Sequence, residues 1–325
     1  MDYTILVVGG AGYIGTHMVK RLLKDGFNVI VLDNLSKGHA DLIPGGSLIT
    51  GDMANQALLK QVFTEHHIDA VMHFAAFIEV GESVLDPLKY YDNNFAATAK
   101  LVQSMIQHRV RCLIFSSTAA VYGEPEKIPI DENHPLKPTS PYGETKLYVE
   151  NMLRACEGAY GLRSIFLRYF NAAGADESGS IGERHEPESH LIPLVLQTAM
   201  GQREQINIFG SDYNTPDGTA VRDYIHVNDL VDAHMLALKS LLNGNPTTGY
   251  NLGNGKGYSV KEVIKAARKV TGKHIQATQK GRRQGDPAVL VASSDKIKQE
   301  LGWQPKYTEL ETIVKSAWEW HRKGG

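Results

Sequence analysis

Thr4-Ile5-Leu6-Val7-Val8-Gly9-Gly10-Ala11-Gly12-Tyr13-Ile14-Gly15 lies near the start of the chain and decides its class. Thr4 to Val8 is an apolar run rich in β-branched side chains, which predicts a buried strand. It ends directly in glycines, which predict a tight turn. Ile14, Met18, Leu22 and Leu23 then recur at helical spacing, so the segment reads as strand, turn, helix. The glycines satisfy both GxxGxxG (Gly9, Gly12, Gly15) and GxGxxG (Gly10, Gly12, Gly15). Where side chains are missing, the backbone can approach a pyrophosphate whose charge is held by free N–H groups at the helix N-terminus.

A second strand, Asn28 to Leu32, ends at Asp33, 24 residues beyond Gly9 and close to where a ribose-binding acid is expected. A carboxylate there accepts hydrogen bonds from adenosine ribose hydroxyls and repels a 2′-phosphate, so NAD is favoured over NADP; Lys37 softens this slightly. Further apolar runs, Ser47 to Thr50, Ala70 to Phe74, Cys112 to Ser116 and Ser164 to Leu167, alternate with helix-like segments. The pattern predicts an α/β fold, a Rossmann-like doubly wound parallel sheet, with ligands beyond the carboxyl ends of its strands. The residues just after the runs are small or polar: Asp33-Asn34, Gly51-Asp52-Met53, Phe74-Ala75-Ala76, Ser116-Ser117-Thr118 and Arg168-Tyr169-Phe170-Asn171. Ala75 and Ala76 could let phosphates lie close, and Asp52 could accept from an adenine amino group.

Downstream stands Tyr142-Gly143-Glu144-Thr145-Lys146. On a helix, positions i and i+4 share a face, so phenol and ammonium can enter one pocket. A free phenol titrates near pH 10, and a neighbouring cation favours the phenolate. Lys146 is therefore expected to bring Tyr142 into working range as a proton acceptor.

The 325 residues, 42% hydrophobic and 22% charged, can bury a large core, and the length suggests two domains or one large domain with an attached lobe. A formal net charge of −2 calls for neither nucleic acid nor an anionic membrane. Met1-Asp2-Tyr3-Thr4 lacks a basic leader region, and no run approaches the length that spans a bilayer. Cys112 and Cys156, with no CxxC, fit a reducing cytoplasm.

After about residue 170 the loops lengthen, as in Gly174 to His190 and Gly210 to Arg222, between helices predicted at Val227 to Leu242, Ser259 to Thr271 and Thr308 to Lys323. The organisation expected is an NAD-binding domain over 1–170 and a smaller α/β substrate lobe over 171–325, with some segments returning to the first domain. Arg222 and Arg283 carry guanidinium forks suited to a diphosphate-bearing substrate. The run His185-Glu186-Pro187-Glu188-Ser189-His190 has metal-ligand side chains, but its proline breaks a helical presentation and no metal is expected. His73 reads as a strand-end histidine, and Trp303, Trp318 and Trp320 as packing residues.

Assembled, these segments resemble the UDP-glucose 4-epimerase family, a branch of the extended short-chain dehydrogenases/reductases. The similarity runs through GGAGYIG at 9–15, DNLSKG at 33–38, HFAA at 73–76, VGES at 80–83, YYDNN at 90–94, FSSTAAVYG at 115–123, SPYGETK at 140–146, RYFNAAGA at 168–175, FGSDYNTPDGTAVRDYIHVNDL at 209–230, YNLGNGKGYSV at 250–260 and RRQGDPA at 282–288. The long block ending in RDYIHV is the specific one.

The resemblance implies that Gly9, Gly12, Tyr13, Ile14, Asp33, Asn34, Leu35, Ser36, Lys37, Gly38, Asp52, Met53, Phe74, Ala75, Ala76, Asn93, Lys146 and Phe170 hold NAD, together with Thr118 and Tyr142. Thr118 and Tyr142 then act on the sugar, and Tyr142, Lys146 and Thr118 form the catalytic set. Asn171, His190, Leu191, Asn207, Phe209, Arg222, Arg283, Asp286 and Leu290 fall at substrate positions. The implied reaction interconverts UDP-galactose and UDP-glucose: Tyr142 takes the 4-hydroxyl proton, the C4 hydride passes to NAD, and the 4-keto sugar rotates and takes it back on its other face. The rival 4,6-dehydratases carry Asp and Glu after the threonine, where this chain has Ala119-Ala120, which transfer no protons. A UDP-glucuronate epimerase would want a further cation near C6, and an intact Thr118, Tyr142 and Lys146 disfavours a non-catalytic NAD sensor.

Phe77-Ile78-Glu79 stands where some of these epimerases have a cofactor-side lysine, and Leu290 stands where side-chain bulk limits acceptance of UDP-N-acetylglucosamine. Family members usually dimerise through helices equivalent to Pro87 to His108 and Ser140 to Tyr160, so a homodimer is expected.

Overall fold

A computed structural model describes residues 3–283 and 287–324. The chain divides into two units. The first comprises residues up to Glu124, Pro135–Arg168 and Val231–Tyr250; the second comprises Pro125–His134, Tyr169–Leu230 and residues from Asn251 on.

The first unit is built on strands β1 (Thr4–Val8), β2 (Asn28–Asp33), β3 (Ser47–Thr50), β4 (Ala70–His73), β5 (Cys112–Thr118) and β6 (Arg163–Tyr169). They lie in the order β6-β5-β4-β1-β2-β3, and Thr248–Leu252 adds a seventh strand beside β6. The pairs β1–β2, β1–β4, β2–β3 and β4–β5 are parallel. Strand order reverses between β1 and β4, the switch point where doubly wound sheets leave a crevice at their carboxyl ends. Both faces are covered, so the strands read as continuous apolar runs: Ile5, Leu6 and Val7 are completely buried. One face packs Leu6, Leu32, Phe63, Leu101, Phe115 and Leu153 into a single cluster, each such side chain contributing about 1.5–3 kcal/mol by leaving water.

Helix Tyr13–Lys24 follows the glycine turn. Met18 and Leu22 are buried as its spacing predicts, whereas Ile14 and Leu23 sit at the stripe's margins, where Tyr13, Thr16 and Val19 complete the buried face. The expected strands differ from the observed ones only at their ends; β5 continues through Ser117 to Thr118, because the whole run is buried and stays in the sheet.

In the second unit, Val221–His226 pairs with Gly257–Ser259 antiparallel and with Asn171–Ala173 and Val289–Leu290 in parallel. Ile206–Phe209 pairs with Ala277–Lys280. Helices Leu191–Ala199, Val260–Thr271 and Leu310–His321 close a core through Leu196, Ile208, Ile264, Ile275, Ile313 and Val314. Trp303 and Trp320 are buried and donate their indole N–H groups to the carbonyls of Asp229 and Glu183, as packing residues do. Cys112 and Cys156 are buried free thiols. Among the described residues no helix is long and apolar enough to cross a membrane.

Candidate active site

The glycine turn leaves β1 with Gly9 at φ +79°, the left-handed region that glycine adopts without strain. A Cβ on Gly9 would lie 2.4 Å from the Ala75 nitrogen, and one on Gly15 would lie 2.2 Å from the Gly9 carbonyl oxygen. Gly12 differs: its Cβ would meet nothing closer than that same oxygen at 3.4 Å. Gly12 is also the N-cap of helix Tyr13–Lys24, which has neither a side-chain cap bond nor an acidic residue in its first turn. The helix therefore starts with N–H groups facing open space beside Gly12, a cradle that fits the pyrophosphate of a dinucleotide.

Asp33 ends β2 buried, its Oδ2 accepting from the Ala11 N–H at 2.9 Å and its Oδ1 from the Leu35 N–H at 2.8 Å. Each oxygen keeps a further lone pair, the capacity that a ribose diol requires. Leu35 has φ +57°, a conformation rare for a bulky residue and of the kind that concentrates at ligand sites. The Asn34 side chain donates to Asp52 Oδ2 at 2.8 Å and accepts from the Ser36 N–H at 3.0 Å, ordering residues 34–36. Asp52 is exposed and Met53 buried. Lys37 is exposed, and Gly38 is so close that a Cβ would lie 2.9 Å from Asp33 Oδ1. Phe74 packs against His234, the rings tilted and 5.1 Å apart between centroids. Ala75 and Ala76 are half-buried after β4.

Asn93 lies in a π-helical turn, Tyr91–Ala96. Such turns are rare and cluster at functional positions. Its amide donates to Asn94 Oδ1, and the buried Asn94 exchanges hydrogen bonds of 2.9 Å with both backbone groups of Phe77. The sequence pointed to Asn93 and missed Asn94, the one buried residue of this turn.

Helix Pro141–Tyr160 carries the proposed base. Ser140 caps it by accepting from the Gly143 N–H at 3.3 Å, and Pro141 fits the first turn, where no donor is needed. Gly143 has a packing reason: a Cβ there would lie 2.6 Å from the Ala120 carbonyl oxygen. This close approach brings Tyr142 to the end of β5, where its phenol hydrogen-bonds the Thr118 hydroxyl. Lys146 is buried, donates to the Ser116 carbonyl at 2.9 Å and lies 4.9 Å from the centre of the Phe115 ring.

The electrostatics correct one expectation. Burial pushes the Tyr142 phenol up to about 12, the Thr118 hydrogen bond pulls it down, and the Glu79 carboxylate pushes it up again. Burial also pushes the Lys146 ammonium down to about 7. Desolvation penalises both charged forms, so burial works against the lowering of the Tyr142 phenol that the Lys146 charge was expected to give. His73 hydrogen-bonds Thr98 at 2.8 Å and is held neutral, at about 3, by burial and by the Lys146 charge.

The same helix supplies a group that the sequence reading missed. Glu150 lies at i+8 from Tyr142 on the buried stripe; it accepts from Ser117 Oγ at 2.6 Å and pairs with the buried Arg168 of β6. A charged residue amid Val149 and Leu153 was the available signal.

The second unit holds most of the residues expected to bind substrate. Arg222 and Leu290 are register partners on adjacent parallel strands. Asn207 and Phe209 alternate along one strand face, and the Arg283 guanidinium lies 4.0 Å from the centre of the Phe209 ring. Asn207 Oδ1 is buried without a hydrogen-bond partner among the described residues. Asn171 donates to the Asp223 carbonyl at 3.0 Å. Phe170 joins β6 to Asn171–Ala173. His190 is the N-cap and Leu191 the first residue of helix Leu191–Ala199. Burial opposes charge on Glu183, but His190 and His185 outweigh it and hold that carboxyl down to about 2. Asp286 lies outside the described residues. Asp223, unremarked in the sequence, is buried under the N–H groups of Asn254, Gly255 and Ala292; burial raises it to about 6 against their pull.

The sequence pattern of the NAD dependent epimerase/dehydratase family matches residues 5–253. The chain belongs to this family. Among epimerase relatives, a UDP-glucose 4-epimerase of Halalkalibacterium halodurans is 57% identical over 98% of this chain and 96% of its own length. A crystal structure of a UDP-glucose 4-epimerase superposes with TM-score 0.97 at 54% identity, covering 99% of this chain and 98% of its own. That of the Bifidobacterium longum UDP-glucose 4-epimerase in complex with NAD+ and UDP superposes at 0.95 with 41% identity, covering 99% and 98%. The NAD dependence in the family's name agrees with the cradle at Gly12.

Proposed function

We propose that the chain is an isomerase that interconverts UDP-galactose and UDP-glucose by inverting C4. The observation that carries this is the hydrogen bond between Thr118 and Tyr142 at the end of β5, with Lys146 buried one turn along the same helix. Gly9, Gly12, Tyr13, Ile14, Asp33 to Gly38, Asp52, Met53, Phe74 to Ala76, Asn93, Lys146 and Phe170 would hold NAD. Bound NAD would supply a hydride acceptor at C4 and a positive ring that favours the phenolate. Tyr142 would take and return the 4-hydroxyl proton while Thr118 orients the same oxygen. Ala119 and Ala120 offer no second acid or base, which leaves inversion rather than elimination. Asn171, His190, Leu191, Asn207, Phe209, Arg222, Arg283 and Asp286 would hold the uridine diphosphate, with the guanidinium forks on its phosphates. Under this reading the first unit is the NAD-binding domain and the second is mainly the UDP-sugar lobe. Leu290, beside Arg222, then sets how bulky a sugar substituent is accepted.

A homodimer is part of the proposal. Leu88 is 73% exposed, and Tyr148 and Tyr160 are 45% and 52% exposed, on the two helical segments through which relatives are expected to pair; Leu85 beside them is 87% exposed. Large apolar side chains exposed on these segments are what a partner surface would cover. The two free cysteines support a cytoplasmic site of action.

The test is an assay on UDP-galactose, UDP-glucose, UDP-N-acetylglucosamine and UDP-glucuronate without added cofactor. Absorbance and mass spectrometry of nucleotide released on denaturation accompany it. NAD release and turnover of UDP-galactose are expected, with loss of turnover in Tyr142→Phe. A requirement for free NAD with net NADH formation, or near wild-type turnover in Tyr142→Phe, would overturn the reading.

A further inference from the structure

We propose that Glu183, His185, Glu188 and His190 form a divalent metal site, and that zinc is the ion that this donor set fits. The sequence reading set a metal aside because Pro187 prevents helical presentation, but a loop does the presenting here, and it adds Glu183, which the motif did not include. One ligand atom from each of the four side chains lies within 4.8 Å of the other three. His185 Nδ1 is 3.2 Å from Glu183 Oε1 and 3.8 Å from Glu188 Oε1. A tetrahedral ion with bonds of about 2.0–2.2 Å separates its ligands by roughly 3.3–3.6 Å, and these two spacings fall just to either side of that range. His190 Nδ1 and Glu183 hydrogen-bond directly, and this one pair would part to admit the ion.

Donor chemistry agrees with the spacing. Two imidazoles and two carboxylates form a nitrogen and oxygen set that zinc accepts, and the two carboxylates neutralise a dication where burial makes net charge costly. The carboxylates are the buried members, with side chains 3% and 4% exposed, while His185 and His190 are 22% and 44% exposed, so an ion can enter from the histidine side.

The surroundings hold the ligands in place. Glu188 Oε1 accepts from the backbone N–H groups of Ser189 at 2.8 Å and His190 at 2.9 Å, and Trp320 Nε1 donates to the Glu183 carbonyl at 2.9 Å. Outer contacts of this kind orient first ligands in metal sites. The site would cross-link the long 174–190 segment and fix His190 at the start of helix Leu191–Ala199. Its role is structural, with His190 Nδ1 turned to Glu183 and Nε2 left for the uridine diphosphate that this residue would hold under the proposed function.

Tag-free protein purified without chelators is expected to contain about one zinc per chain by plasma mass spectrometry, or to bind one equivalent on dialysis against zinc. His185→Ala and Glu188→Gln should each weaken binding at least about tenfold, whereas His108→Ala, outside the cluster, should not. Cobalt loaded into the wild-type chain should give the intense visible absorption of a tetrahedral ion, a readout that survives if a variant fails to fold. Failure to bind zinc in either preparation, binding undiminished in both variants, or a hydrated octahedral cobalt spectrum would overturn the assignment.

Discussion

The Glu150 carboxylate receives two donors from Arg168, Nε to Oε1 at 2.9 Å and Nη2 to Oε2 at 2.5 Å, and both side chains are buried. Arg168 also donates to the Tyr122 hydroxyl at 2.8 Å, and Ser117 donates to Glu150. The pair therefore ties β5 and β6 to the helix of Tyr142 and Lys146. Removing one partner of a buried pair strands the other charge, at a cost of about 3–5 kcal/mol. Glu150→Gln should lose roughly that much in urea unfolding, and Glu150→Met with Arg168→Met should recover most of it. A loss under about 1 kcal/mol for the single change would show that the pair does not anchor the helix.

Thr118 and Glu79 move the Tyr142 phenol in opposite directions. Thr118→Ala removes the group that favours the phenolate, so the acid limb of kcat should move to higher pH, with a fall of about 10²-fold at neutral pH. Glu79→Gln removes the opposing charge, and the limb should move to lower pH. Profiles of kcat against pH for the two variants check this; shifts of the same sign would rule out the electrostatic account.

Lys146 is pushed down to about 7 from 10.5 by burial. Between these values the unfolded chain holds a proton that the folded chain has released, so folding stability rises with pH in that window. Wild type should gain about 3–4 kcal/mol relative to Lys146→Met between pH 7 and pH 10. At pH 7 the variant should be the more stable protein, though inactive. Denaturant melts of nucleotide-stripped protein at several pH values measure the difference, and parallel curves would contradict it.

Gly9 and Gly12 should separate folding from nucleotide binding. Gly9→Ala places a Cβ 2.4 Å from backbone at φ +79° and should lower stability by about 2 kcal/mol or more. Gly12→Ala has room within the protein, so its melting temperature should stay near wild type while NAD content falls. Equal NAD content in Gly12→Ala and wild type would show that the cradle lies elsewhere.

Leu85→Glu with Leu88→Glu places charge on the exposed apolar patch. Light scattering coupled to size exclusion should show twice the chain mass for wild type and a single chain for the variant. A dimer that survives both changes would move the interface to another face.

Much of the first unit was legible because its signals are local. Thr4 to Val8, the glycines and the apolar stripe of the first helix lie within about twenty residues of one another, and periodicity reports a burial pattern that neighbours share. The pairing of Tyr142 with Lys146 was legible for the same reason, since i and i+4 always share a helix face. Asn94, Glu150 and Asp223 were not, because each is satisfied by partners far along the chain or by backbone groups that no pattern displays.

The amino-acid sequence alone pointed to the alternating strands and helices, the glycine turn, NAD and the family, all written in short motifs whose spacing constrains geometry directly. Tertiary structure decided the charges. It buried Lys146 and Tyr142 together, so that desolvation opposes both ions, and it set Glu79 and Thr118 to act on the phenol in opposite directions. It also gathered Glu183, His185, Glu188 and His190 through a loop where the proline had argued against any shared face. Ionisation and ligation depend on what surrounds a side chain in space, and only the folded chain supplies that.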